Sequence, residues 1–146
     1  MNWKHEAVKK LRRYDAMQRA TVNLPLEIKR LKAENEAVRG GLQVGFTGGK
    51  GSQSREDALL NNLMTRQQLQ WSLDQAQSWT GTVDRALGAL EPEEQLILQQ
   101  MYILPCEGAV GQLMETLCVE RSSIYRRRDK ALKKFTLSLY GGEESN

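Results

Sequence analysis

The sequence predicts an all-α fold, and three observations carry that expectation. Gln, Leu, Ala, Glu, Lys and Arg, all good helix formers, make up most of the chain, and aromatic residues are only 6% of it. The chain has only three prolines and no run of alternating β-branched residues of the kind that favours a strand. Apolar residues recur instead at steps of three and four over long stretches, which is the spacing of one helix face.

The first such stretch runs through Ala7, Leu11, Tyr14, Thr21, Leu24, Ile28, Leu31 and Val38, with Met17 or Gln18 and Asn35 filling the intervals. It forms a heptad-like seam. Pro25 interrupts it, and Asn23 can cap a new helix, so the sequence predicts a break there and two helices, 3–22 and 25–39. Residues 40–54 (GGLQVGFTGGKGSQS) hold six glycines in their first twelve positions and predict a flexible loop. Its Gly-Gly-Lys-Gly-Ser run does not make a phosphate-binding loop, because Gly45 and Gly49 are too close and Gly51 follows Lys50.

A long helix follows, with Ser54 as cap and Glu56 and Asp57 in its first turn, where the helix dipole favours acids. Leu69, Leu73, Ala76, Thr80, Val83, Leu87 and Leu90 form its seam. The helix cannot bury that seam alone, so it is expected to pack antiparallel on the N-terminal helices or against a second subunit. Residues 1–89 therefore read as a helical hairpin or coiled coil for oligomerisation or partner contact. Trp71 and Trp79 lie off the seam, where widening the core is the ordinary explanation and a subunit contact the other. Gly81 and Gly88 weaken the helix and point to an early end.

From Leu90 the punctuation changes. Leu90-Glu91-Pro92-Glu93-Glu94 places a proline and acids in the first turn of a helix expected to reach Tyr102. Pro105 and Gly108 mark 103–108 as a turn, and residues 109–117 make a short helix burying Val110, Leu113, Met114 and Leu117. After Cys118-Val119-Glu120, residues 121–139 form a basic helix with Ser122 as its expected cap and Ile124, Ala131, Leu132, Phe135 and Leu139 as its apolar positions. A short helix, a tight turn and a basic helix are the helix-turn-helix pattern, here spanning 90–140 with 141–146 as a flexible tail.

Charge supports that division. Residues 121–134 (RSSIYRRRDKALKK) carry seven basic groups and one acid, while residues 40–120 carry four basic and ten acidic ones. Such a block in a chain of net charge +3 suggests a polyanionic partner, with a solvated helix face as the plain alternative. In a helix-turn-helix the second helix sets its N-terminal side chains against base edges, which wants short polar and basic residues. Ser122, Ser123, Tyr125 and Arg126 occupy those positions, with Arg126 the first candidate for a bidentate contact to guanine. Arg121, Arg127, Arg128, Lys130, Lys133 and Lys134 are placed to neutralise phosphates, and the stem of Arg127 can instead lie against the scaffold. Lys4, Lys9, Lys10, Arg12 and Arg13 form a second basic stretch, for which a solvated helix face is the ordinary reading and added phosphate contacts the alternative.

LEPEEQLILQQMYI and, after a turn, LMETLCVERSSIYRRRDKALKKF resemble region 4 of sigma-70-type factors. They are closer still to phage late transcription regulators of the RinA and ArpU type, which carry a sigma-like helix-turn-helix behind a helical N-terminal part. The matching residues are Leu90, Pro92 and Glu94, then Leu117 and Val119 in the turn, Arg121 with Ser123-Ile124-Tyr125-Arg126, and Lys130-Ala131-Leu132. Residues 1–89 match only in layout. Cys118 replaces the glycine common at that turn, and Met114 stands where a small alanine is usual. The resemblance implies a sequence-specific DNA-binding regulator, an activator of phage or prophage late genes. Double-stranded DNA is the expected partner, while the helical N-terminal unit is read, apart from the resemblance, as setting orientation, making a homodimer or touching RNA polymerase. A small subunit of a DNA-packaging terminase and a helical module contacting RNA polymerase are the competing readings.

An enzyme is not expected, nor is a cofactor or metal. His5 is the only histidine, and nothing at helical spacing joins it to a nucleophile or a ligand set. Cys106 and Cys118 lack Cys-x-x-Cys spacing and read as buried free thiols, Cys118 as a packing residue. No apolar run approaches the roughly 18 residues of a membrane span, and the N-terminus has no uninterrupted apolar core, so cytoplasm and no membrane partner are expected.

Overall fold

The computed structural model describes residues 2–43 and 49–141, and among them the chain is all-α. The helices are α1 (Trp3–Gln43), α2 (Gly49–Gly88), α3 (Pro92–Leu98), α4 (Ala109–Leu117) and α5 (Arg121–Tyr140). A π turn, Gln99–Ile103, continues α3. No helix of the described residues is long and apolar enough to cross a membrane.

Two expectations about the first half are overturned. Pro25 lies inside α1 without ending it. A proline in a helix interior removes a hydrogen bond and costs about 3 kcal/mol. Here the ring is on the exposed side while Ile28 and Leu31 are buried, so packing of the seam outweighs the lost bond. The predicted loop at 40–54 is also mostly helical. Residues 40–43 end α1 and 49–54 begin α2, while 44–48 lie outside the described residues. The expected tail reduces to Gly141, whose left-handed backbone (φ 72) ends α5; residues 142–146 lie outside the description.

The chain divides into two compact units, Met1–Gln18 with Ser78–Asn146, and Arg19–Gln77. The division falls within α1 and α2. In the first unit Ala7, Leu11, Val83, Ala86, Leu90, Leu98, Ala131, Leu132 and Phe135 form one buried core, with Trp79, Tyr102 and Tyr140 packed on it. Beside it the Tyr14 hydroxyl donates to Asp84 and accepts a 2.6 Å hydrogen bond from Gln18 Nε2. Burial, reinforced by Asp84, pushes the Tyr14 phenol up to about 12. In the second unit Ile28, Leu31, Leu73, Ala76 and Asn35 are buried. Asn62 Nδ2 donates to the Leu31 carbonyl at 2.8 Å, and Asn62 Oδ1 accepts from Arg66 Nε at 2.7 Å. Val22, Leu26, Leu60, Leu63, Met64 and Trp71 remain exposed on this unit, and Trp71 at 64% is no part of the core.

Candidate nucleic-acid interface

The basic residues of α5 are held by a small apolar cluster built from three helices. Ile97 of α3, Leu113 of α4 and Ile124 of α5 are fully buried together, with Leu96, Met101, Val110, Met114, Leu117 and Val119 around them. Burying these side chains fixes α5 against α3 and α4, because each fully buried aliphatic contributes about 1.5–3 kcal/mol. At the other end of α5, Ala131, Leu132 and Phe135 join the larger core.

The turn from α4 to α5 is three residues long. Cys118 ends α4 in the left-handed conformation (φ 56, ψ 47), and its N–H bonds the Met114 carbonyl. It is the one residue other than glycine with positive φ among those described. The missing glycine at this turn thus leaves an L side chain in a conformation that costs about 1–2 kcal/mol. Cys118 and Cys106 are both exposed, which overturns the expectation that they are buried and that Cys118 packs. The backbone has to leave α4 in the left-handed region, and that carries the Cys118 side chain away from the apolar cluster. The N-cap of α5 is Glu120 (φ −77, ψ 161), not Ser122, which sits one residue into the helix and is exposed.

The ten candidate residues occupy different environments. Arg121, Ser122, Arg126, Lys130 and Lys133 are exposed. Ser122, Arg126, Lys130 and Lys133 recur at steps of three and four and so share one face, opposite the buried Ile124, Ala131 and Phe135. Arg121 and Arg126 have no ion-pair partner among the described residues. Ser123 and Tyr125 are half-buried: Ser123 Oγ accepts from Arg127 Nε at 3.1 Å, and Arg128 lies 5.0 Å from the Tyr125 ring centre. Arg128 is also paired with Asp129 at 2.9 Å.

Arg127 and Lys134 face α3 instead. Arg127 is ion-paired with Glu93, and Lys134 Nζ donates to Glu94 Oε1 at 3.0 Å. Glu94 Oε1 also accepts the Glu91 backbone N–H at 3.0 Å, closing the start of α3 as in a capping box. Burial would raise the Glu94 pKa, but the Glu91 N–H, Lys134 and Lys130 together hold it below the usual carboxylate range. Together these groups line a shallow depression between α3 and α5.

The sequence reading missed this acid–base seam. The signal was present: Arg127 and Lys134 are seven residues apart, two turns along one flank, and Glu93-Glu94 is the only adjacent acid pair ahead of the basic run apart from Glu56-Asp57. It also missed the role of Asp129, the one acid in the run, which lies 3.7 Å from Lys4 of α1. No group of His, Cys, Asp and Glu among the described residues could hold a metal ion. No protein-family model matches the chain, and no curated protein or solved structure is significantly similar to it.

Proposed function

We propose that the chain is a sequence-specific DNA-binding transcription regulator, an activator of phage or prophage late genes. In this reading α4, the Cys118–Glu120 turn and α5 form a helix-turn-helix, and α5 enters the major groove. One observation carries it: α5 presents exposed Ser122 and Arg126 near its N-terminus, with Lys130 and Lys133 on the same face, from a back buried in two apolar clusters. A rigid helix with an unpaired arginine at that position suits readout of guanine, and the lysines suit phosphate contacts. Arg127 and Lys134 then serve mainly to orient α5 through Glu93 and Glu94. The likeness of 90–132 to sigma-type regulators is the source of the regulatory part of this reading.

A homodimer belongs to the same reading, and a specific observation favours it. Leu60, Met64 and Trp71 of α2 are 55%, 58% and 64% exposed, and with Gln67 they follow a four-three-four spacing. The strip is its own complement: two copies crossing antiparallel would set Leu60 against Trp71 and Met64 against Gln67, as a two-fold contact requires. Residues 58–73 carry a single charge, Arg66, which is bonded to Asn62. Sedimentation equilibrium is expected to show a dimer that Met64→Glu dissociates; a monomeric wild type would remove this part alone.

The function is tested by binding to fragments of the protein's own genomic neighbourhood, with random DNA as competitor, across a salt series. Competitor-resistant binding to one fragment is the expected result. Equal binding to every fragment would replace the reading with a packaging role such as that of a terminase small subunit. No binding at all would move the basic helix onto a protein surface.

A further inference from the structure

We infer that the first turn of α1 completes the nucleic-acid face of α5, with Lys4 supplying a phosphate contact that the basic run does not contain. This rests on the DNA-binding reading above. In the first unit the start of α1 lies against α5: Ala7 and Leu11 are buried with Ala131, Leu132 and Phe135, and the rings of Trp3 and Tyr140 are 4.7 Å apart. Most basic groups of this stretch are occupied elsewhere. Lys9 pairs with Glu6 at 3.5 Å, Lys10 lies 5.5 Å from the Tyr140 ring centre, and Arg12 lies 5.9 Å from that of Tyr102. Of these, Lys4 is the one that meets an acid of α5, with Nζ 3.7 Å from Asp129 and both side chains about half exposed.

That placement matters because of where Asp129 stands. It follows Arg126 by three residues and precedes Lys133 by four, so its carboxylate lies within one helical turn of both. A phosphate drawn to Arg126 and Lys133 meets that carboxylate as the one repulsive charge on the face. Lys4 and Arg128 both hold it, and Arg128 is tied down further by Tyr125. The Lys4 ammonium keeps donors to spare after meeting one carboxylate oxygen, since it carries three and no acceptor. It therefore bridges Asp129 and an incoming phosphate, bringing a residue distant in sequence into the interface.

The experiment is titration of a fluorescent random-sequence DNA duplex by the full chain over a salt series, comparing wild type, Lys4→Gln, Lys4→Arg, Asp129→Asn and Lys4→Gln with Asp129→Asn. Arg126→Gln serves as the reference for the basic face. Lys4→Gln is expected to reduce the slope of log K against log salt by about 0.9, the value of one phosphate contact on duplex DNA. Lys4→Arg should keep the slope, and the loss should persist in the Asp129→Asn background. A slope unchanged by Lys4→Gln but reduced by Arg126→Gln overturns this inference and leaves the DNA reading standing. A loss that vanishes with Asp129→Asn overturns it too, reducing Lys4 to a screen for that acid. Failure of wild type to bind the duplex overturns both.

Discussion

The two sides of α5 carry the same residue types and put them to different uses. On the side toward α3, Arg127 and Lys134 are engaged by Glu93 and Glu94, and Ser123 accepts from Arg127. On the outward side Ser122 and Arg126 have no such partners, while Lys130, also exposed, stands at the edge where its charge still reaches Glu94. Positive charge in the run is thus divided between holding the helix and presenting it. The lesson is that a count of basic residues overstates an interface, since a cation already neutralised from within has less to give a phosphate.

Four substitutions bear on that division. The largest effect is expected at Phe135, fully buried on the back of α5. Phe135→Ala should lower the free energy of unfolding by about 3–5 kcal/mol in a denaturant titration. A loss under about 1 kcal/mol would mean that the back of α5 is not a packed core. Arg126→Ala tests the outward side: stability should stay within about 0.5 kcal/mol while discrimination between bound sequences falls by about 1–3 kcal/mol. Unchanged discrimination would pass the reading role to another residue.

Glu94→Gln tests the inner side, and should cost about 1–2 kcal/mol of stability at neutral pH. The sign with pH follows from the lowered pKa. The unfolded carboxyl, near 4.3, binds protons more readily than the folded one, so the stabilisation is complete above that value and disappears as pH falls through the lower folded value. Wild type and Glu94→Gln should therefore converge in acid, and a gap independent of pH would place the effect elsewhere. The smallest effect is expected at Cys118. Replacing it by Gly relieves the left-handed backbone and should stabilise by up to about 1 kcal/mol, with DNA binding unchanged. A destabilised Cys118→Gly would show that the thiol packs after all.

The legible parts of the sequence were those decided locally or by periodicity. The bounds of α4 follow from Gly108 and from the turn after Leu117, and the structure has them at Ala109 and Leu117 as expected. The seams of α1 and α2 were also readable: Ala7, Leu11, Ile28, Leu31, Leu73, Ala76, Thr80 and Val83 are all buried, as is Leu90 just beyond α2. What failed was inference from single residues. Pro25 and the glycines at 40–43 and 49–54 have poor helix propensity, but propensity is a weak prior, and at Pro25 the buried Ile28 and Leu31 outweigh it. Cys118 reads as apolar in sequence, while its exposure depends on a backbone angle that no composition reveals. The pairs between α5 and Glu93, Glu94 and Lys4 depend on packing between distant segments, and so lay beyond periodicity.

The π turn has a consequence for cooperativity. Its consecutive residues serve different cores: Met101 packs on the cluster of Ile97, Leu113 and Ile124, while Tyr102 and Ile103 pack on that of Leu98 and Phe135. Two pockets of apolar side chains, each too small to persist alone, are thereby stitched together by one stretch of backbone. Amide protons in α4 should then exchange with solvent at rates close to those of α3 and α5, since opening one pocket pulls on the other. A helix presented to a partner in this way is released by unfolding the whole C-terminal assembly and not by fraying of a single turn.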